Sequence, residues 1–173
     1  MGKMKLFDLK FRKNFTYYVF QSLLAILSLL FILFFLDVVT HTAIIASLGA
    51  TVFIVFAMPN NKTAKPRNII GGHLIGTIIG FLCFYCASSI HFSFHLQYIN
   101  GDPLQKIILP AIGVGLSIFL MVLFDTEHPP AAGTTLGIII QGWNYSTFLV
   151  ILITTILLSI FHLILKPWLK DLL

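Results

Sequence analysis

The stretch DTEHPPAAGTTLG, residues 125–137, places three ionisable side chains, two prolines and three small residues directly after a long apolar run. Prolines end a preceding helix and are favoured in the first turn of a following one. Pro129 and Pro130 therefore predict that one helix stops before them and that a shorter helix starts there. Irregular backbone at membrane depth persists only where protein or a watery cavity satisfies its polar groups. The stretch thus predicts a functional break within a membrane bundle.

The composition of the whole chain places it in a membrane. The 173 residues are 58% hydrophobic and 10% charged, with a mean hydropathy of +0.97, whereas soluble domains carry about 25% charged residues. The basic residues are too few and too dispersed for a nucleic-acid surface. We therefore expect a single transmembrane domain over residues 1–173, with the lipid bilayer and no nucleic acid as partner.

Four apolar runs have the length of about 20 residues that a spanning helix needs. Two shorter runs, residues 44–58 and 131–143, lie between polar segments. Six crossings with a cytoplasmic N-terminus put ten of the eleven lysines and arginines in the cytoplasm, and five crossings put eight there. The positive-inside bias favours an all-α bundle of six spans, with five as the alternative, and a basic cytoplasmic segment over residues 1–16. The long runs cover residues 17–36, 69–87, 106–124 and 147–165.

Two segments of the chain resemble each other. LDVVTHTAIIASLG covers residues 36–49, and FDTEHPPAAGTTLG covers residues 124–137. In both, a long span ends in aspartate, a histidine follows, and a short span with glycine begins. Because each copy contains three spans, an odd number, the second copy crosses the membrane in the opposite orientation to the first. We therefore predict a 3+3 inverted repeat over residues 17–89 and 106–166, with short second and fifth helices.

The short helices carry the candidate substrate site. Helix N-termini expose N–H groups that favour anions, and interrupted spans at corresponding positions mark transporter sites. If the N-termini of both short helices point to the middle of the bilayer, they form a site for a small inorganic anion. The alternative for Gly133 and Gly137 is a helix-packing face. The residues expected to bind the anion are Ser47, Gly49, Thr51, His73, Gly133, Thr134 and Thr135.

Polar residues at the predicted cytoplasmic edge are candidates for gating or coupling. An ion pair of Arg67 with Asp125 or Glu127 would be a structural clamp. Alternatively, Arg67 attracts the anion while a carboxylate or His128 carries a coupling proton. For His73, the alternative to a ligand role is a neutral ring bonded to a backbone carbonyl. The gating or coupling residues are Arg67, Asn68, Asp125, Glu127 and His128.

Metal and catalytic sites are not expected. His91 and His95 supply fewer ligands than a zinc site needs. Cys83 and Cys86 have no second pair, which favours free structural thiols. The sequence lacks the serine-hydrolase, zinc-protease and nucleotide-binding motifs, so we expect neither enzyme activity nor a cofactor.

Glycines recur every fourth residue in the second long apolar run, at Gly72, Gly76 and Gly80. Such a stripe predicts a close helix–helix contact. Together with the small size of the chain, it is compatible with a homo-oligomer.

Two motifs resemble those of the HPP family of integral membrane proteins. ASLGATVFIVFAMPNNKTAKPRNIIGGHLIG, residues 46–76, resembles the first signature of the family, and TEHPPAAGTTLG, residues 126–137, resembles the motif that names it. The resemblance covers residues 39–143 and implies nitrite transport, which has been assigned to some members. The matching positions are Ser47, Gly49, Ala50, Pro66, Arg67, Asn68, Gly71, Gly72, His73, His128, Pro129 and Pro130.

Two functions fit these features. The first is transport of a small monovalent inorganic anion, nitrite foremost, through a midplane site formed by the N-termini of the short helices. The second is a non-transporting scaffold or sensor subunit, which predicts a stable complex with another protein and a core without a water path. For either function we expect the protein in the bacterial inner membrane, with its N-terminus in the cytoplasm.

Overall fold

The computed structural model describes residues 9–35, 42–89 and 105–172. Within these ranges every long element is an α-helix, which confirms the predicted all-helical bundle. Two short 3₁₀ turns, Lys62–Ala64 and Lys166–Trp168, follow the second and sixth helices. The α-helices are α1 (Leu9–Phe35), α2 (Thr42–Ala57), α3 (Pro66–Ser89), α4 (Gln105–Leu123), α5 (Pro129–Gln141) and α6 (Tyr145–Leu165).

Several predictions fall on other parts of the chain. The first eight residues of the basic segment lie outside the described ranges. So do Asp37 and His41, which belong to the first of the two similar segments, and the pair His91 and His95.

The helices differ in their capacity to span a membrane. In the described part of the chain, three segments are long and apolar enough: Lys13–Phe34, Pro66–Cys86 and Tyr145–Trp168. The helix α2 has 16 residues and α5 has 13. At about 1.5 Å per residue α5 covers about 20 Å, less than the hydrocarbon core of about 30 Å. Short second and fifth helices are thus confirmed, and a complete crossing by α5 stays a prediction.

The two short helices lie side by side in opposite directions. A Cβ atom on Gly137, in the second half of α5, would lie 2.7 Å from Ile44 near the start of α2. His128, directly before α5, is hydrogen-bonded to Thr51 farther along α2. Residue numbers therefore rise along α2 as they fall along α5, and the pair is antiparallel.

The other helices surround this pair in a matched pattern. The helix α1 packs against α2 as α4 packs against α5, and α3 packs against α5 as α6 packs against α2. An inverted repeat that relates α1, α2 and α3 to α4, α5 and α6 requires these contacts. The repeat boundaries themselves stay a prediction.

Small residues bring α3 and α5 into backbone contact. A Cβ atom on Gly76 would lie 2.5 Å from the carbonyl oxygen of Ala131, and one on Gly72 would lie 2.6 Å from Cβ of His128. The Oγ1 of Thr135 donates a hydrogen bond to the Gly76 carbonyl at 3.0 Å. The close contact predicted from the glycine stripe is therefore a contact of α3 with α5 within one chain.

The C-terminal segment, residues 166–172, ties one end of the bundle together. The backbone N–H of Leu172 donates to the Ala57 carbonyl at 2.9 Å, and Tyr18 donates to the Leu172 carbonyl at 2.6 Å. Buried Gln21 in α1 donates to the Lys170 carbonyl and accepts from the Lys170 N–H. The early part of α1, the end of α2 and the C-terminal segment thus share one end of the molecule.

Candidate functional site

Polar side chains from α2, from α3 and from the start of α5 form a hydrogen-bonded cluster inside the bundle. Each is at most 4% exposed. Polar groups inside a membrane protein are costly unless they are paired, and they often mark functional sites. We call this cluster the histidine network, and its members are Ser47, Thr51, His73, His128 and Thr134.

The hydroxyl of Thr51 lies between the two imidazole rings. Its Oγ1 is 2.9 Å from Nε2 of His73 and 3.0 Å from Nε2 of His128. On the outer side of each ring, Nδ1 of His128 is 2.9 Å from the Thr63 carbonyl oxygen, and Nδ1 of His73 is 2.9 Å from Oγ1 of Thr134. One hydroxyl thus links two buried histidines from different parts of the chain.

Ser47 completes the other end of the network. Its Oγ is 2.8 Å from Oγ1 of Thr134 and donates to the Pro130 carbonyl at 2.5 Å. The network therefore runs without a gap from the Thr63 carbonyl to the Pro130 carbonyl.

The local sequence explains how these groups meet. Ser47 and Thr51 are four residues apart and share one face of α2. Before Pro129 an extended conformation is favoured, and His128 has φ −142° and ψ 93°. Its ring is thereby directed toward α2 and α3, where it meets Thr51.

A small cavity borders the network on the side of α6. It lies between His73 and Thr77 of α3 and Thr155 of α6. Its volume is about 10 Å³, which is near the minimum for one water molecule. The Oγ1 of Thr77 is buried and has no hydrogen-bond partner in the part of the chain that the structure describes. The cavity thus offers a polar contact next to a network histidine.

The prediction that the starts of α2 and α5 meet at a shared cavity is wrong. Antiparallel packing places the two starts at opposite ends of the pair, about the 20 Å length of α5 apart. The start of α2 is also occupied. With its amide oriented to satisfy both polar atoms, Gln141 accepts from the N–H groups of Thr42 and Ala43 at 3.1 and 3.2 Å.

The start of α5 has few N–H groups to offer an anion. Pro129 and Pro130 carry no N–H. The next N–H, that of Ala131, donates to the His128 carbonyl at 2.9 Å. The groups available for binding are therefore side chains of the histidine network and not the helix tips.

The other predicted substrate residues lie beside the network. Thr135 donates to the Gly76 carbonyl and joins α5 to α3. Gly133 faces Ser47, with 3.2 Å between a Cβ placed on the glycine and Cβ of the serine. Gly49 faces α1. A direct contact of these residues with an anion stays a prediction.

Three of the predicted gating residues, Arg67, Asp125 and Glu127, form an ion-pair cluster at the exposed end of the bundle, whereas His128 lies in the histidine network. Lys62 Nζ is 2.6 Å from Asp125 and 2.9 Å from Glu127. Arg67 is 3.7 Å from Asp125, and Asn68 donates to the Glu127 carbonyl at 3.0 Å. The Arg67–Asp125 pair matches the clamp alternative, whereas a role in gating stays a prediction.

The ion-pair cluster predicts that the stability of the protein decreases at acidic pH. Hydrogen bonding to Lys62 lowers the pKa of Asp125 and that of Glu127 below their ordinary values. Carboxyls with lowered pKa stabilise the fold above their unfolded pKa, and this contribution is lost as pH falls through the folded value. We expect the thermal midpoint of the purified protein to decrease below about pH 4, and Lys62→Met to make that decrease smaller.

Thermal unfolding in detergent across the acidic range measures this effect. Lys166→Met is the matched control, because Lys166 is an exposed lysine at the end of α6 and outside the cluster. An acid-induced decrease as large in Lys62→Met as in the unmodified protein would contradict the prediction.

Sequence reasoning missed three contributors to the site. Lys62 is one of several basic residues in its loop, and nothing in the sequence marks it as the centre of a cluster. Thr63 contributes only a backbone carbonyl, which every residue has. Thr77 offers a weak signal, since it is a hydroxyl residue within a long apolar run.

Comparison with known proteins places the chain in a family. A family profile described as HPP, transmembrane region, matches residues 10–170. A transmembrane protein of Dictyostelium discoideum is 33% identical over 93 residues, which are 54% of this chain and 28% of that protein. A second transmembrane protein of that organism is 27% identical over 93 residues, 54% of this chain and 26% of its own length.

The chain spans about a quarter of the length of these curated relatives. No solved structure matches it. The family match covers nearly the whole chain and includes the residues of the histidine network and of the ion-pair cluster. On this basis, the chain belongs to the HPP family of transmembrane proteins.

Proposed function

We propose that this protein transports a small monovalent inorganic anion, nitrite foremost, along a path that passes the histidine network. The observation that supports the proposal is the network itself, which places two imidazoles and three hydroxyls in an apolar bundle. Ionisable groups at such positions are costly and mark ion pathways. Hydroxyl and imidazole N–H donors can bind an oxyanion without a fixed positive charge.

The size of the cavity favours a carrier over an open channel. The space beside His73 has room for about one water molecule, and nitrite is larger than water. Admission of the anion therefore requires the surrounding helices to move. Substrate-dependent rearrangement around a central site is the usual behaviour of secondary transporters.

We place the protein in the bacterial inner membrane with the ion-pair cluster on the cytoplasmic side. Lys62, Lys65 and Arg67 lie at this end, and the positive-inside bias favours the cytoplasm for them. The early part of α1 shares this end through the contacts of Tyr18 and Gln21 with the C-terminal segment. A cytoplasmic N-terminus follows from the same placement.

Nitrite flux in proteoliposomes tests the proposal. The protein should carry nitrite above the rate of protein-free vesicles. Thr134→Val keeps the volume of the side chain but removes a hydroxyl that contacts both Ser47 and His73. A neutral hydrogen bond contributes about 0.5–1.5 kcal/mol, so we expect this variant to lose about two- to tenfold in flux.

The matched control is Thr154→Val, which removes a buried hydroxyl on α6 outside the network. Its flux should equal that of the unmodified protein. If vesicles with the protein carry nitrite, nitrate, formate and chloride no faster than empty ones, transport is excluded. A partner protein that co-purifies in fixed ratio from native membrane would then support the scaffold or sensor alternative.

A further inference from the structure

The histidine network contains fewer mobile hydrogens than its contacts need. Its three hydroxyls and two neutral imidazoles each supply one mobile hydrogen, which makes five. Six contacts join these five groups to one another and to the two terminal carbonyl oxygens. In a seventh contact, the Thr51 hydroxyl donates to the Ser47 backbone carbonyl at 3.2 Å. A carbonyl oxygen can only accept, so neither end adds a hydrogen. In the neutral state the five hydrogens therefore cannot fill all of these contacts.

The missing hydrogen can be traced from the side of His128. Its Nδ1 faces the Thr63 carbonyl, so the ring hydrogen must be on Nδ1. The Nε2 of the neutral ring is then an acceptor and faces the hydroxyl of Thr51.

The same reasoning applies from the other end. Ser47 donates to the Pro130 carbonyl, so its oxygen accepts from Thr134. Thr134 has then used its hydrogen and accepts from Nδ1 of His73. The Nε2 of His73 is thus also an acceptor directed at Thr51.

Thr51 has one hydroxyl hydrogen for two acceptor nitrogens and for the Ser47 carbonyl of its own helix, which lies at the longer distance of 3.2 Å. One added proton relieves the conflict between the rings: one ring becomes an imidazolium that donates its Nε2–H to Thr51, and the Thr51 hydrogen is shared between the other ring and the Ser47 carbonyl. We propose that the histidine network binds one proton, shared by His73 and His128 through Thr51, and that this proton moves together with the anion. The coupling to an anion rests on the proposed function, whereas the proton site rests on the hydrogen count.

The surroundings of the rings explain why the proton should arrive with an anion. The helices α2 and α5 contain no ionisable residue. On α6, Tyr145 is exposed and His162 is bonded to the Pro59 carbonyl at 2.8 Å. The charged side chains near the 3₁₀ turn pair with one another at the exposed end: Lys62, Arg67, Asp125 and Glu127.

No described carboxylate therefore contacts the network to balance an imidazolium. A buried charge without a partner is strongly disfavoured. A bound monovalent anion supplies the opposite charge, and the proton and the anion together are neutral. The resulting activity is electroneutral cotransport of one proton with one anion.

Proton binding can be measured without transport. The full chain with ¹⁵N-labelled histidine is placed in lipid nanodiscs, and the ring nitrogen signals distinguish neutral imidazole from imidazolium. Near pH 7.5 without anion we expect both rings to be neutral. Saturating nitrite at about pH 6 should produce imidazolium signals from the His73–His128 pair and the uptake of one proton per protein.

The variant Thr51→Val keeps the shape of the side chain and removes the shared hydroxyl. It should reduce the imidazolium population at least about tenfold, a change in pKa of one unit or more, while Thr154→Val should leave it unchanged. Absence of an imidazolium signal in the unmodified protein, with nitrite, nitrate or formate, would overturn the proton site. This result does not depend on whether any variant folds.

Flux experiments separate this inference from the proposed function. A gradient of one pH unit should drive accumulation of nitrite toward a limit of about tenfold. Because nitrous acid that crosses the lipid approaches the same limit, the initial rate above that of protein-free vesicles measures the contribution of the protein. Nitrite flux without proton movement would overturn the proton site and leave transport intact. Nitrite-induced proton binding without any flux would support the proton site and exclude transport.

Discussion

Replacing His73 by alanine should reduce nitrite flux by about ten- to a hundredfold. The ring contacts both Thr51 and Thr134, so its loss divides the histidine network into two parts. A hydrogen bond to a charged group contributes about 1.5–3 kcal/mol, which corresponds to that range of rates. Initial rates of nitrite uptake into proteoliposomes, normalised to the amount of inserted protein, measure the effect.

His162→Ala is the matched control for this substitution. His162 is a buried histidine of the same bundle that bonds to the Pro59 carbonyl and not to the network. Both variants remove a buried ring, so their stabilities should fall by similar amounts, whereas only His73→Ala should lose flux. If a folded His73→Ala protein transports nitrite at the rate of the unmodified protein, the anion does not pass the histidine network.

Gly76→Ala adds a single methyl group and should nevertheless cause a large loss of stability. The added Cβ would lie 2.5 Å from the Ala131 carbonyl oxygen and 3.0 Å from Oγ1 of Thr135. Backbone atoms of α5 cannot rotate away as a flexible side chain can, so the two helices must separate. Overpacking of this kind costs about 1–3 kcal/mol, or on the order of 5 °C in the thermal midpoint.

Gly115→Ala is the matched control, because a Cβ there meets no atom of the described residues within 4 Å. In the interior of a helix alanine is favoured over glycine by about 1 kcal/mol. The control should therefore have an unchanged or slightly higher thermal midpoint in the same detergent. Equal midpoints for Gly76→Ala and Gly115→Ala would show that α3 and α5 are packed more loosely than described.

The sequence predicted the parts of the fold that depend on local chemistry. Apolar runs of spanning length gave the long helices, and the pair Pro129–Pro130 marked the start of α5. The spacing of Gly72 and Gly76 indicated a close helix contact, because only glycine permits one at that distance. These signals reside in adjacent or regularly spaced residues, so one sequence is enough to detect them.

The arrangement of the short helices could not be predicted in the same way. The inverted repeat indicated that α2 and α5 run in opposite directions, but not whether their starts would converge or lie at opposite ends. Packing along their length, with Gly137 against Ile44 and Gly133 against Ser47, decides this. The weakness of an anion site at the start of α5 was nevertheless visible, since Pro129 and Pro130 lack N–H groups.

The histidine network was predicted residue by residue but not as a unit. His73, Thr51 and Thr134 were candidates for substrate binding, whereas His128 was assigned to the cytoplasmic edge. Their contacts join positions far apart in the chain, such as Thr51 and His128. Such pairings depend on how the helices are registered against one another, which hydrophobic periodicity does not determine.

The glycine contact between α3 and α5 also has a mechanical consequence. Two helices whose backbones touch, with Thr135 bonded to the Gly76 carbonyl, have no side-chain layer in which to slide. They behave as one rigid body that carries His73, His128 and Thr134. The helix α2 meets this body through the hydroxyls of Ser47 and Thr51 and through Ile44, which packs on Gly137. We therefore expect a hinge motion that exposes the rings to displace α2 or α6 and to leave the glycine-packed pair intact.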